Sequence, residues 1–201
     1  MTMRDVYGVA VPYSTHPALR RLKRLGHVPS IHGTKIWTAG KVLIEYLSAS
    51  ALLNSATSLV DVGCGWGLSS IWCRKHVDCD VLSVDADPDV FPYLNVISEL
   101  NQTQTAHRVA RFEDLTVSDL SQYDYLIGAD ICFWDSLVDP VERLIDTALE
   151  ADMRGVVIAD PERPPFCRLA EKCLDKYGGE LIDWELTESR GRGVVLIIDN
   201  R

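Results

Sequence analysis

Short apolar runs alternate along this chain with segments whose apolar positions recur every three or four residues, which predicts strands and helices in turn. Residues 58–62 and 81–85 predict strands, with a helix from about Gly67 to His76 between them. Pro88 to Leu100 predicts a helix, with Asp87 as its N-cap and Pro88 in its first turn. His107–Phe112 and Tyr123–Ala129 predict a third and a fourth strand. A helix starting at Ser136 or Asp139 runs to about Ala151, and Gly155–Ala159 makes a fifth strand. Asp160-Pro161-Glu162-Arg163-Pro164-Pro165 reads as a loop, followed by a helix over about Phe166–Tyr177 that Gly178-Gly179 stops. Two last strands, about 180–187 and 193–199, flank Gly191-Arg192-Gly193 and should lie antiparallel. Upstream, Ala39–Leu47 is an apolar helix, and Leu19, Leu22 and Leu25 should pack a short helix inward with Arg20, Arg21, Lys23 and Arg24 outside. The whole predicts a Rossmann-like, doubly wound α/β sheet of seven strands, mostly parallel with an antiparallel last strand. Ligands of such sheets sit beyond the carboxyl ends of the strands.

Chemistry enters at Val60-Asp61-Val62-Gly63-Cys64-Gly65-Trp66-Gly67. Three glycines at alternate positions after a buried strand let the backbone approach a ligand without a Cβ in the way. Asp85 ends the next strand about twenty residues beyond, where an acid can take both hydroxyls of a ribose. Glycines alone would be read as a tight strand–helix turn; Asp85 makes them half of a nucleoside site. A dinucleotide fingerprint would place its third glycine at position 68, which is Leu68, and would leave no acid just before the first glycine. Asp61 would repel a phosphate and welcome a cationic amine. An ammonium, a sulfonium and a ribose together describe S-adenosylmethionine, and an NAD-dependent enzyme becomes a distant alternative.

Composition narrows the partners. The chain has 201 residues, 47% hydrophobic and 24% charged, with a net charge of −9. That balance fits one soluble domain and argues against a nucleic-acid backbone, which needs clustered Lys and Arg. A protein, a peptide or a small amine suits it better. No apolar run is long enough for a bilayer and no signal-like apolar core opens the chain, so no membrane association and a cytoplasmic site are expected. The basic run 20–24 could suggest a transit peptide, but a solvated helix face is the better reading. Six cysteines (64, 73, 79, 132, 167, 173) show no Cys-x-x-Cys pair and no zinc spacing with the five histidines. They read as small buried hydrophobes in a reducing compartment, with no metal site. Cys64 and Cys132 lie near the expected site, yet no histidine is placed to activate either as a nucleophile.

Three further constellations fall at strand ends. Arg111-Phe112-Glu113-Asp114 could cover an adenine with Phe112 and accept from its amino group with Glu113 or Asp114. Gly128-Ala129-Asp130-Ile131-Cys132-Phe133-Trp134 places an acid and two aromatics beside the cofactor, suited to a substrate amine; a helix N-cap is the plainer role for Asp130. Gly33-Thr34-Lys35-Ile36-Trp37 precedes the apolar helix, where Trp37 could close over the cofactor or simply pack.

Taken together, Trp37 and its helix, the glycine motif 61–67, Asp85 and above all Asp130-Ile131-Cys132-Phe133 resemble the seven-strand methyltransferases. Within them the chain is similar to the protein-lysine methyltransferases of chaperones, valosin-containing protein and the electron-transfer flavoprotein beta subunit. The likeness spans about residues 32–200, and Ile158-Ala159-Asp160-Pro161-Glu162-Arg163-Pro164-Pro165-Phe166 looks most like the flavoprotein-directed members. Thr38 stands where the family more often has an acid or a proline.

The resemblance implies that Trp37, Gly63, Cys64, Gly65, Asp85, Phe112 and Ala129 contact S-adenosylmethionine, with Asp61 and Glu113 added from the reading above. It implies that Asp130 and Phe133 face the acceptor, the methyl being passed to a lysine amine. A small-molecule N- or O-methyltransferase and a non-catalytic S-adenosylmethionine-binding subunit are the alternatives. Residues 36–201 form the expected catalytic domain and 1–35 an extension that acts as a lid or packing helix.

Overall fold

The computed structural model describes residues 3–30 and 36–200. The apolar runs become β3 (Ser58–Val62), β4 (Asp80–Asp85), β5 (Ala106–Val109), β6 (Tyr125–Ala129) and β7 (Gly155–Asp160), followed by β8 (Glu180–Glu185) and β9 (Arg192–Asp199). They form one sheet in the order β5-β4-β3-β6-β7-β9-β8, parallel except where β9 runs antiparallel to β7 and β8. The direction of the winding reverses between β3 and β6, which opens a crevice at the carboxyl edge there.

Helices α2 (Thr38–Ala49), α3 (Leu68–Trp72) and α4 (Phe91–Leu100) cover one face, and α5 (Val117–Leu120), α6 (Val138–Glu150) and α7 (Pro164–Tyr177) the other. Alternation along the strands feeds both layers: Leu59, Ile127 and Val157 join the first, and Val60, Leu126, Val156 and Ile158 the second. In α6 the buried Val138, Val141, Leu144, Ile145 and Ala148 repeat at the three-to-four spacing of a helix stripe.

Several boundaries differ from expectation. The third strand stops at Val109, and Phe112–Asp114 form a 3-10 turn. The helix after the glycine turn gives way at Cys73–Val77 to a single π-helical turn. Pro164 and Pro165 are not loop: they occupy the first turn of α7, where a missing N–H costs nothing. Asp87 does cap as expected, its side chain accepting from Asp89 N.

Upstream the sequence pattern missed a hairpin of β1 (Met3–Val6) and β2 (Val9–Pro12), each too short to show a period. The segment is tied down by Ala10 N donating to Asn101 Oδ1 (2.8 Å) and Lys75 Nζ to the Gly8 carbonyl (2.6 Å). Helix α1 (Pro17–Arg24) follows, with Leu19 buried and Leu22 partly so. Leu25 does not pack inward; it lies just past the helix, at its C-cap, and is 64% exposed. Gly33, Thr34 and Lys35 lie outside the described residues.

Candidate active site

A cavity of about 360 Å³ opens at the carboxyl edge of β3, β4 and β6. The residues assigned to the cofactor and the acceptor line it: Trp37, Asp61, Gly63, Cys64, Gly65, Asp85, Phe112, Glu113, Ala129, Asp130 and Phe133; Asp114, Cys132 and Trp134, also considered from the sequence, do not. Ile36, Trp66, Leu68, Ile131 and Leu137 add apolar lining; Trp66 and Ile131 fall inside the motifs singled out above, though no role was assigned to either.

The floor is the glycine turn. Gly63, Gly65 and Gly67 all have positive φ (65°, 52° and 75°), a conformation that favours glycine. A Cβ at Gly63 would strike Ile131 Cγ2 at 2.7 Å, whereas one at Gly65 would meet no protein atom within 4 Å and would take up cavity space. Gly65 N donates to Asp85 Oδ2 at 2.9 Å and Asp87 N to Asp85 Oδ1 at 2.9 Å, so one oxygen is held by the glycine turn and the other by the loop after β4, with lone pairs remaining. Burial raises the Asp85 carboxyl above its ordinary value.

Asp61 is buried and accepts from Ser70 N (3.1 Å) and Ser70 Oγ (2.6 Å), which locks the end of β3 to α3. Burial lifts its carboxyl to about 7. The thiols of Cys64 and Cys132 are also raised by burial, Cys132 to about 12, which keeps both as neutral thiols and removes the nucleophile reading. Trp66 stacks on Tyr93 with ring centroids 5.2 Å apart, and its buried indole N–H has no partner. An open floor above Gly65 and a ribose-type acid beside it fit a nucleoside carrying an amino-acid tail.

Across the cavity, Asp130 follows β6 with φ +64° and its N–H donating to the Ala159 carbonyl (2.9 Å). It caps no helix. Its carboxylate is gripped by Arg163, Nη1 on Oδ1 and Nη2 on Oδ2 (3.2 Å), while Arg163 Nη1 also reaches Asp160 Oδ2 at 3.4 Å. Sequence reasoning had assigned no role to Arg163 or Asp160. The available signal was topological: β6 and β7 pair in register at Ala129 and Ala159, so the acids that follow them must meet and need a cation. Phe133 lies against Trp134 edge-on, centroids 4.7 Å apart, and Trp134 is 54% exposed at the rim.

The fold is that of the Rossmann-like methyltransferases. Ribosomal protein L11 methylase of Lactobacillus delbrueckii subsp. bulgaricus superposes with a TM-score of 0.62 at 14% identity, over 82% of this chain and 79% of that one. A Pyrococcus abyssi tRNA (uracil-54, C5)-methyltransferase, solved with S-adenosyl-L-homocysteine, gives 0.60 at 17%, over 79% and 38%. The chain belongs to the lysine methyltransferase family, whose profile matches residues 23–172. Among characterised relatives, the electron transfer flavoprotein beta subunit lysine methyltransferase of Danio rerio is 25% identical over 130 residues, 65% of this chain and 50% of that protein. The human enzyme of that name is 21% identical over 153 residues, 76% and 56%. This chain therefore spans about half the length of these relatives.

Proposed function

We propose that this chain transfers a methyl group from S-adenosylmethionine to a lysine amine on a protein. The observation that carries the reading is one cavity with the glycine turn and Asp85 on one wall and Asp130 with Phe133 on the other. The cofactor supplies an activated methyl group; what the protein adds is alignment and a dry pocket. On this reading Asp85 takes the ribose, Asp61 the amino-acid end, and Phe112 and Glu113 the base. Asp130 holds the acceptor amine by hydrogen bond, and Phe133 and Trp134 exclude water and favour methylated ammonium by cation–π attraction.

A macromolecular acceptor is favoured because no residue of the described stretch 3–30 lines the cavity, and because Trp134 stands exposed beside it. We take residues 36–201 as the catalytic unit and 1–35 as an N-terminal extension that serves as a lid or packing helix. The net charge of −9 favours a protein over a nucleic acid. No helix among the described residues is long and apolar enough to cross a membrane. Six unpaired cysteines suit a reducing compartment, which we take to be the cytoplasm.

The test is methyl transfer from tritiated S-adenosylmethionine in a lysate of the native host, with acid hydrolysis of the labelled material. Methyl-lysine in the protein fraction is expected. Label in small molecules alone would favour the small-molecule methyltransferase, label in RNA would overturn the partner assignment, and binding without transfer would favour a non-catalytic subunit.

A further inference from the structure

We propose that Asp160 and Arg163 set the charge of the acceptor pocket so that it admits one cationic amine at Asp130. The inference rests on the acceptor reading of Asp130 and goes beyond it to two residues that line neither wall.

Asp130 follows β6 and Asp160 ends the neighbouring β7 at the same level, and both are removed from water, their side chains 8% and 0% exposed. Two buried carboxylates side by side repel and need a counter-charge. Arg163 supplies one: its guanidinium binds both oxygens of Asp130 and touches Asp160 Oδ2 at 3.4 Å. Its own N–H donates to Asp160 Oδ1 at 2.7 Å, which fixes the base of the side chain where α7 begins. The other charged groups nearby are committed elsewhere, Glu162 to Arg192 (3.5 Å) and Arg168 to Asp135. The thiols of Cys132 and Cys167 that feel Asp160 are raised and neutral.

The cluster thus holds two negative charges against one positive. One negative charge is left over, and it is matched by one incoming ammonium. When that ammonium takes Asp130, the guanidinium keeps a partner in Asp160. Without Asp160 the acceptor would have to win Asp130 from an arginine with nowhere else to go. The bound ammonium gives up one proton to solvent before its nitrogen attacks the methyl group, and the methylated product is again an ammonium, so the same balance serves amines at every methylation state. Burial lifts the Asp160 carboxyl to about 6, so the surplus charge, and with it amine binding, declines as pH falls through that value.

The probe is Nα-acetyl-lysine N-methylamide, titrated by NMR into the full chain saturated with S-adenosylhomocysteine, with the norleucine analogue as the neutral control. Wild type should bind the lysine probe and not the control. Asp160→Asn should weaken it by about ten-fold, the scale of losing one poorly screened charge a few ångströms away. It should also lose the decline near pH 6. Arg163→Gln should bind at least as tightly as wild type. The double variant should recover most of what Asp160→Asn loses, since Asp130 alone again carries one surplus charge. Nucleoside affinity should be unchanged throughout.

A packing role predicts instead that Arg163→Gln weakens binding and that the double variant is worse than either; that result overturns the proposal, and Arg163→Gln alone decides it should Asp160→Asn fail to fold. Equal binding by wild type and Asp160→Asn overturns the proposal while leaving the acceptor reading intact. Failure of wild type to bind the lysine probe overturns the acceptor reading and the proposal with it.

Discussion

Asp61 and Ser70 are joined twice, by the Ser70 N–H at 3.1 Å and its hydroxyl at 2.6 Å, both to the same carboxylate oxygen. Ser70 Oγ also accepts from Ser83 Oγ (2.8 Å), so the acid before the glycine turn anchors α3, β3 and β4 together. The acid that suits a cationic amine on charge grounds is therefore also a structural clasp, nearly dry in the free protein. Asp61 also lines the cavity, so a ligand ammonium can meet it there.

A proton should consequently leave when the nucleoside binds. With burial holding the Asp61 carboxyl at about 7, much of it is protonated below neutral pH. A ligand ammonium pulls the value down, and the proton is released between the bound and free values. Calorimetric titration of S-adenosylhomocysteine at pH 6.5, in two buffers of different ionisation heat, should show net release that Asp61→Asn abolishes. Equal heats in both buffers would remove Asp61 from the ammonium site.

Asp85→Ala should weaken S-adenosylmethionine binding by about 1.5–3 kcal/mol, the scale of charge-assisted hydrogen bonds. The loss is compound, because Gly65 N and Asp87 N lose their acceptor along with the ribose. NAD should not bind at all, since Leu68 and Asp61 oppose a pyrophosphate there. Competition titration against S-adenosylhomocysteine checks both statements.

The glycines separate stability from binding. Ala at Gly67 would be strained at φ +75° and would sit 2.7 Å from Leu94 Cδ1, so Gly67→Ala should cost about 2 kcal/mol or more in urea unfolding. Ala at Gly65 meets no protein atom within 4 Å, so its cost in stability should be smaller, about 1 kcal/mol from φ alone, with the larger effect on the nucleoside.

The pieces legible in sequence were those where one physical demand dominates. Buried parallel strands must be apolar, and the turn at 63–67 needs glycine, so both stand out by composition. The hairpin at 3–12 does not, because four-residue strands carry too few alternations to register. Phe112 and Glu113 were placed at a strand end, yet they reach the cavity from a 3-10 turn, where only the local hydrogen bonds of Arg111 and Asp114 decide the geometry. Asp130, given a helix cap as its plainer role, turned out to hold Arg163, a partner 33 residues away that periodicity cannot supply.

All six cysteines should titrate as free thiols in denaturant without added oxidant. None is paired in the structure; Cys73, Cys79, Cys132 and Cys173 are buried, and burial raises the thiols of Cys64, Cys132 and Cys173, which keeps them neutral and slow to oxidise. Fewer than six reactive thiols would count against a reducing compartment.

Asp130→Ala should abolish methyl transfer while leaving S-adenosylmethionine affinity nearly unchanged. The nucleoside is gripped from the β3 and β4 side, by the glycine turn and Asp85, whereas Asp130 belongs to the β6 edge and is bound on its far side by Arg163. Removing an aligned, charge-assisted contact at the reacting centre should cost on the order of a hundred-fold in rate, about 3 kcal/mol. Asp130→Asn separates shape from charge: it can still accept a hydrogen bond, but its neutral amide also turns a donor toward Arg163. Appreciable activity in the Asn variant would show that position dominates, and activity as low as in the Ala variant that the charge is needed. Single-turnover transfer alongside calorimetric cofactor titration distinguishes these cases. Intact turnover in Asp130→Ala would reduce this acid to a tether for Arg163, and parallel loss of cofactor affinity and turnover would move it into the nucleoside site.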